Sequence, residues 1–496
     1  MTEAKAFREK AMTKILPRIV VSIAAAFLML SLTACEQPKK EAAMTSPTQT
    51  ASSGDVQNNL LHARAVQAVI WGMPAVNYDL MLQEMLTKTT GKVGQVIYWG
   101  RPMEYHNQTL TPNPDALYFM VFFNTKDGPV VLDLPPGDQN GSFNGNIVNI
   151  WQMPLEDAGL LGYDKGKGGK YLILPPGYKG KPPAGYIALQ SDTFGGYMLF
   201  RANFKSHSDA DVQAAIDYGK RMKIYPLSAA AHPPETVFTD VKDIDFDSTI
   251  KYDASYFDHL NNIIQSDPWL DRDRVMIDQL ASIGIEKGKA FQPSDQLKAT
   301  LNSAAQDARA FLYAKYDEGF PPFFSPSSRW LFPGYPELVK AQSTAYGDPN
   351  ADPVDKRAVV YTVGYVGIKN LGGGQMYLIS IKDKDGNAFD GSKTYKVAVP
   401  PNAPVKQYWS LTAYDRELHT LIKGVNRASR SSQIPELQKN PDGSIDLYLG
   451  PKAPDGKDAN WIPTDPNRKF ELMFRAYAPT EALFKKQWIL PDVEKQ

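Results

Sequence analysis

The sequence predicts an α+β chain, mainly β, with two β-rich regions, a helical N-terminal segment and a helical connecting region. Three observations carry this. Pro and Gly are both plentiful, at 38 and 36 residues, which disfavours a helical bundle and favours a turn-rich β protein. Short β-branched and aromatic runs, bounded by Gly and Pro, recur over 89–205 and again after 359. Helical periodicity fills 60–86 and 254–318 instead. At 496 residues and 43% hydrophobic, the chain is ample for a buried core and long for one ordinary domain. Lys+Arg and Asp+Glu both number 54, so the whole chain carries no basic nucleic-acid footprint. A single cysteine excludes a disulfide framework and Cys-based zinc sites.

The elements follow in order. Lys5, Arg8, Lys10, Lys14 and Arg18 precede an uncharged run from Ile19 to Ala34. A basic start, a short apolar stretch and small residues describe an export signal over 1–34. The run is shorter than the ~20 residues a spanning helix needs, and Met12 offers an alternative start with a shorter basic region. Leu32-Thr33-Ala34-Cys35 resembles the lipobox of bacterial lipoproteins. The resemblance implies cleavage before Cys35, acylation of its thiol (palmitate among the chains) and the membrane as a partner. Glu36, where inner-membrane lipoproteins carry Asp, implies the periplasmic face of the outer membrane. Residues 35–58 are polar, small and rich in Ser, Thr and Ala, and read as a flexible tether.

Leu60 to Leu86 reads as two helices separated by a kink or turn at Gly72 and Pro74. Strands are predicted at Val96–Trp99, Leu117–Phe123, Pro129–Leu134, Ile147–Trp151, Tyr171–Leu174, Tyr186–Leu189 and Gly196–Arg201, the spacing of a sandwich or barrel. Residues 209–222 read as a helix capped by Ser208 or Asp209. The helical stretch 254–318 breaks near Asp267-Pro268 and Phe291–Pro293, and the Pro- and Phe-rich 318–336 reads as an ordered, packed connection. From Val359 onward strands return, at Gln375–Lys382, Lys393–Val399, Gln407–Tyr414, Ile445–Leu449 and Arg468–Tyr477. Two strands end in Pro-Pro, at Leu134-Pro135-Pro136 and Val399-Pro400-Pro401, each followed by a run containing Trp151 or Trp409. Proline-rich strand ends are common, so from sequence this recurrence reads as coincidence rather than as two related sandwich units.

Trp71-Gly72-Met73-Pro74, Thr111-Pro112-Asn113-Pro114-Asp115-Ala116-Leu117-Tyr118 and Lys223-Ile224-Tyr225-Pro226-Leu227 resemble the DUF1254 family. The ordered series Tyr408-Trp409-Ser410-Leu411-Thr412-Ala413-Tyr414-Asp415, Asn426-Arg427, Asn440-Pro441-Asp442-Gly443-Ser444, Asn460-Trp461-Ile462-Pro463, Phe474-Arg475-Ala476-Tyr477-Ala478-Pro479 and Trp488 resembles the DUF1214 family. The resemblance implies two jelly-roll or β-sandwich-like units with helices between them, and no established activity. It divides the body into a DUF1254-like segment over 59–232, a mostly helical connection over 233–355 and a DUF1214-like β domain over 356–496. Ala116 stands where the family usually has Thr, and Ala428 where an aromatic is common.

The chemistry-bearing motifs are few. G-x-S-x-G and H-E-x-x-H are absent. His207-Ser208-Asp209 has the spacing of half a metal site, but Ser208 and Asp209 also open a helix. Asp383–Asn387 reads as a hairpin turn, not a calcium loop. The glycine runs at 166–169 and 372–374 lack the phosphate-loop spacing. No metal or cofactor is implied. His106, Asp115 and Tyr118 are the catalytic candidates, a polar cluster flanking a predicted strand; Asx-turns in the Pro112–Pro114 loop explain the same residues structurally. Asn113, Trp409, Tyr414, Arg427, Trp461 and Arg475 are the ligand-binding candidates, because arginines amid aromatics suit an anionic or amphipathic ligand. The structural alternative makes the tryptophans core and pairs Arg475 with Asp415 or Asp446. The sequence thus favours an envelope lipoprotein that binds or scaffolds a small or amphipathic ligand. The alternative is an envelope hydrolase acting on a small molecule or glycan.

Overall fold

The computed structural model describes residues 52–364, 368–369 and 374–496. Cys35 with its signal, most of the segment read as a tether, and Gly372-Gly373 lie outside the described residues. The first element is one continuous helix, α1 (Ser53–Lys88). The Ser52 hydroxyl accepts from the Asp55 N–H (3.1 Å) while the Asp55 carboxylate accepts from the Ser52 N–H (3.3 Å). This reciprocal cap starts the helix inside the stretch read as tether. Nor do Gly72 and Pro74 divide it in two. A Cβ on Gly72 would lie 2.9 Å from a Leu260 methyl, so the glycine lets another helix press close. Around Pro74, side chains supply donors to the helix carbonyls: Tyr256 to Val69 (2.8 Å), Arg357 to Trp71 (3.5 Å) and Gln152 to Pro74 (2.8 Å). From Ala68 to Met81 every residue is buried, so the middle of α1 is enclosed on all sides.

The first β unit holds β1 (Val96–Tyr98), β2 (Asn107–Gln108), β3 (Leu117–Asn124), β4 (Val130–Leu134), β5 (Ser142–Asn149), β6 (Pro154–Gly159), β7 (Gly169–Leu174), β8 (Ile187–Gln190), β9 (Gly195–Asn203), β10 (Lys223–Pro226), β11 (Phe238–Asp240) and β12 (Phe246–Asp247). A six-stranded sheet, ordered β11-β1-β3-β9-β5-β6, faces a four-stranded one, β10-β4-β7-β8. Leu117, Phe119 and Phe200 of the first meet Leu132, Tyr171 and Ile173 of the second in one core. The second unit holds β13 (Gln375–Ser380), β14 (Tyr395–Val399), β15 (Trp409–Asp415), β16 (Ser429–Ser431), β17 (Ile445–Gly450), β18 (Trp461–Pro463), β19 (Phe470–Tyr477) and β20 (Glu494–Lys495). Its sheets, β13-β19-β15-β16 and β18-β17-β14-β20, enclose Leu378, Leu411 and Phe474 against Val397, Leu447 and Leu449.

The two units repeat one another. The run β3-β9-β5-β6 has the order of β13-β19-β15-β16, and β10-β4-β7-β8 that of β20-β14-β17-β18. A parallel pair falls at the same place in each, β7 with β8 and β17 with β18. The two strands ending in Pro-Pro are β4 and β14, which occupy matching positions. Reading their recurrence as coincidence is therefore corrected: it marks the same strand of a repeated sandwich.

Helices fill the space beside and between the units: α2 (Asp209–Gly219), α3 (Ser255–Ser266), α4 (Met276–Ser282), α5 (Asp295–Glu318), α6 (Pro336–Ser343), α7 (Val354–Thr362) and the short α8 (Glu481–Phe484). Ser208 caps α2, its hydroxyl accepting from the Asp211 N–H. The expected return of strands at Val359 is corrected by α7. Arg357 to Thr362 are all buried and α7 packs on α1 and α5, so tertiary packing outweighs the β-branched residues. Alternation then decides what each central strand offers. In β9, Phe200 points into its own sandwich while Leu199 joins the helical core on the other face. In β19, Phe474 and Met473 divide in the same way.

Candidate functional site

Arg201 follows Leu199 by two residues in β9 and Arg475 follows Met473 by two in β19, so both leave the sheet on the face away from their sandwich core. Both line one cavity of about 140 Å³, roughly ten times the space one water requires. Tyr118, Tyr377, Asn77 and Gln342 give it polar edges, and Met81, Met120, Leu199 and Met376 give it apolar walls. Arg201 is 7% exposed and Arg475 is 2% exposed.

The two arginines are held differently. Arg475 donates to the Thr412 hydroxyl (3.0 Å), the Thr111 carbonyl (3.0 Å) and the Tyr414 hydroxyl. Its Nε has no partner among the described residues. Arg201 lies over the Tyr118 ring, 5.3 Å from the centroid, and its Nε and Nη1 find no partner among the described residues. Neither arginine forms an ion pair among the described residues. The expected partners of Arg475 are engaged or absent: Asp415 holds Arg468 (2.9 Å), and no ion pair joins Arg475 to Asp446.

The loop Thr111–Asp115 is the clasp between the units. Thr111 adopts a positive φ of 40° and presents its carbonyl to Arg475. Tyr414 donates to the Pro112 carbonyl (2.6 Å). Asn113 donates to the Tyr477 (2.8 Å) and Tyr408 (3.1 Å) hydroxyls, while its own carbonyl accepts from the Asp115 N–H (3.0 Å) in an Asx-turn. Its backbone N–H donates to the Tyr118 hydroxyl (2.9 Å). Burial pushes the Tyr408, Tyr414 and Tyr477 hydroxyls well above the ordinary tyrosine value, so they stay neutral donors and acceptors.

The other sequence candidates lie apart. His106 is half-exposed, pairs with Asp245 (2.8 Å) and stacks on Tyr105. Asp115 is fully buried; one carboxylate oxygen accepts from His207 Nε2 (3.1 Å) and Ser429 (3.2 Å), and the other has no partner among the described residues. Nearby Arg430 is pulled down to about 10 by burial and by Arg427, against the opposing pull of Asp458 and Asp115. Trp409 is sandwich core, stacked on Phe474 at 5.7 Å. Arg427 sits at the surface, bonded to the Asp458 carbonyl (2.7 Å) and over Trp461, whose ring N–H donates to the Gly450 carbonyl. Tyr118 and Arg475 are thus brought to one cavity with Asn113 and Tyr414 behind them, whereas His106, Trp409, Arg427 and Trp461 are not. The residue that sequence reasoning missed is Arg201. Its signal was present, since Phe200-Arg201-Ala202 repeats Phe474-Arg475-Ala476. Among the described residues, no three His, Cys, Asp or Glu side chains converge to hold a metal ion.

Residues 93–226 match the model of DUF1254, a protein family of unknown function, and residues 374–481 match that of DUF1214, also of unknown function. The chain therefore carries the two in tandem. No curated protein matches it in sequence. Among solved structures, the VPA0106 protein from Vibrio parahaemolyticus is similar in fold at 18% identity, with a TM-score of 0.54, covering 88% of this chain and 100% of that one. An uncharacterised protein from Burkholderia cenocepacia is 12% identical with a TM-score of 0.40, covering 90% of this chain and 96% of that one.

Proposed function

We propose that this tandem DUF1254/DUF1214 chain is a cell-envelope lipoprotein that binds a small amphipathic organic anion in the cavity between its β units. One observation carries the reading: two buried guanidiniums with unused donors line a largely apolar cavity, and neither has a carboxylate partner among the described residues. Arginine cannot shed its charge, and a buried charge without a counter-ion is costly. An anionic head would supply that counter-ion, and Met81, Met120, Leu199 and Met376 would take the hydrocarbon. The envelope address rests on the sequence, through the lipobox-like Leu32–Cys35. A hydrolase would need a hydroxyl lined up on a base. His207 and Ser429 instead converge on the same oxygen of Asp115, which is not the relay of a triad. That arrangement favours binding over hydrolysis.

Small molecules released from the full-length protein, purified from its own membranes, are to be compared by mass spectrometry between wild type and Arg201→Met. The expected result is an organic acid enriched from the wild type and lost from the variant. Identical profiles would contradict the reading. For the anchor, Cys35→Ser is expected to remove the lipid mass and release the protein from the membrane fraction; unchanged mass and fractionation would refute it.

A further inference from the structure

The repeat of the fold extends to the charges. In the first unit, Tyr118 on β3 lies opposite Arg201 on β9, which in turn lies opposite Asn144 on β5. In the second, Tyr377 on β13 lies opposite Arg475 on β19, which lies opposite Ser410 on β15. The guanidinium-to-ring distance is 5.3 Å in both. Flanking residues repeat as well, Phe200 and Ala202 in one strand and Phe474 and Ala476 in the other. The same tyrosine–arginine pair, at the same register of the same strands, thus reaches one cavity twice.

We infer that the two β units are copies of one ancestral sandwich and that the cavity they share takes a doubly charged organic acid, one negative charge for each guanidinium. The inference rests on the binding reading above and goes beyond it by fixing the ligand's charge. The site presents two permanent positive charges, and neither forms an ion pair among the described residues. A monoanion leaves one of them uncompensated in a setting that excludes most water, whereas a dianion satisfies both. The donors left over fit this demand. Arg201 has Nε and Nη1 unspent and Arg475 has Nε unspent, all buried, so each guanidinium keeps hydrogen-bonding capacity that an acidic oxygen on its side would complete. Two carboxylates on one chain and a single phosphoryl head share this chemistry.

The test uses the full chain in detergent at pH 8, where both kinds of dianion are fully charged, and three probes of matched length: octanedioate, octyl phosphate and octanoate. Binding is read by calorimetry. At least one dianion is expected to bind ten-fold or more tightly than octanoate. Either Arg201→Met or Arg475→Met is expected to remove that advantage, and the corresponding lysine variants to keep part of it. Preference for octanedioate assigns two separate acidic groups; preference for octyl phosphate assigns one dianionic head. Octanoate binding as tightly as both dianions, with either arginine dispensable, overturns the charge assignment and leaves the binding reading standing. No binding of any probe to a folded wild type, judged by circular dichroism, counts against both. The lysine variants keep the test decisive if a methionine variant fails to fold.

Discussion

The two β units use one scaffold for unequal purposes. Four residues before its arginine, the first unit has Tyr197, whose hydroxyl donates to Gln152 (2.7 Å). At the same place the second has Glu471, completely buried, with His419 on one carboxylate oxygen (2.9 Å) and Tyr316 on the other (2.7 Å). The arginines differ in the same sense. Arg475 is tied to Thr111, Thr412 and Tyr414, while Arg201 meets Tyr118 and keeps donors unspent. The second unit has turned its copy of the site partly into structure, a polar network that also grips the loop before β3. The first has kept its copy open.

Removing the network should hurt most. Glu471→Leu removes the carboxylate that His419 bonds and that faces the Arg416 guanidinium (3.6 Å), and a loss of about 3–5 kcal/mol in urea unfolding is expected, the range for breaking a buried charged contact. Asn113→Ala tests the grip across units, because it leaves the Tyr408 and Tyr477 hydroxyls without their donor and undoes the Asx-turn. A loss of about 2–3 kcal/mol is expected. Tyr197→Phe, the first unit's counterpart of the Glu471 change, deletes one neutral hydrogen bond and should cost about 1 kcal/mol in the same assay. Equal losses at 197 and 471 would erase the contrast between the units.

Much of the fold was legible because strands of this kind announce themselves. Phe470, Leu472 and Phe474 alternate with Glu471, Met473 and Arg475, and β19 follows that alternation. The failures have physical causes. Gly72 and Pro74 are breakers by local rule, yet α1 continues because Leu260 fills the glycine's vacancy and Arg357 supplies a donor to the Trp71 carbonyl in the turn before the proline. The β-branched run of α7 is overruled by burial against α1 and α5. Arg475 was singled out because large aromatics surround it in sequence. Arg201 has similar neighbours in Tyr197, Phe200 and Phe204, but it lies outside the motif series that drew attention to Arg475, and its meaning depends on a partner 274 positions away that only the fold brings to it. His106 drew notice by adjacency to the Asn113 motif, but the chain turns it outward to Asp245.

The contrast between the arginines gives the most direct test of the binding claim: urea unfolding and octanedioate binding measured on the same preparations of Arg201→Met and Arg475→Met. Arg475→Met should lose about 2 kcal/mol with its hydrogen bonds. Arg201→Met should stay within about 1 kcal/mol of wild type or exceed it, because an uncompensated buried charge has been removed, and should bind octanedioate no more tightly than octanoate. Strong destabilisation of Arg201→Met with binding intact would make Arg201 a structural residue and contradict the cavity as an anion site.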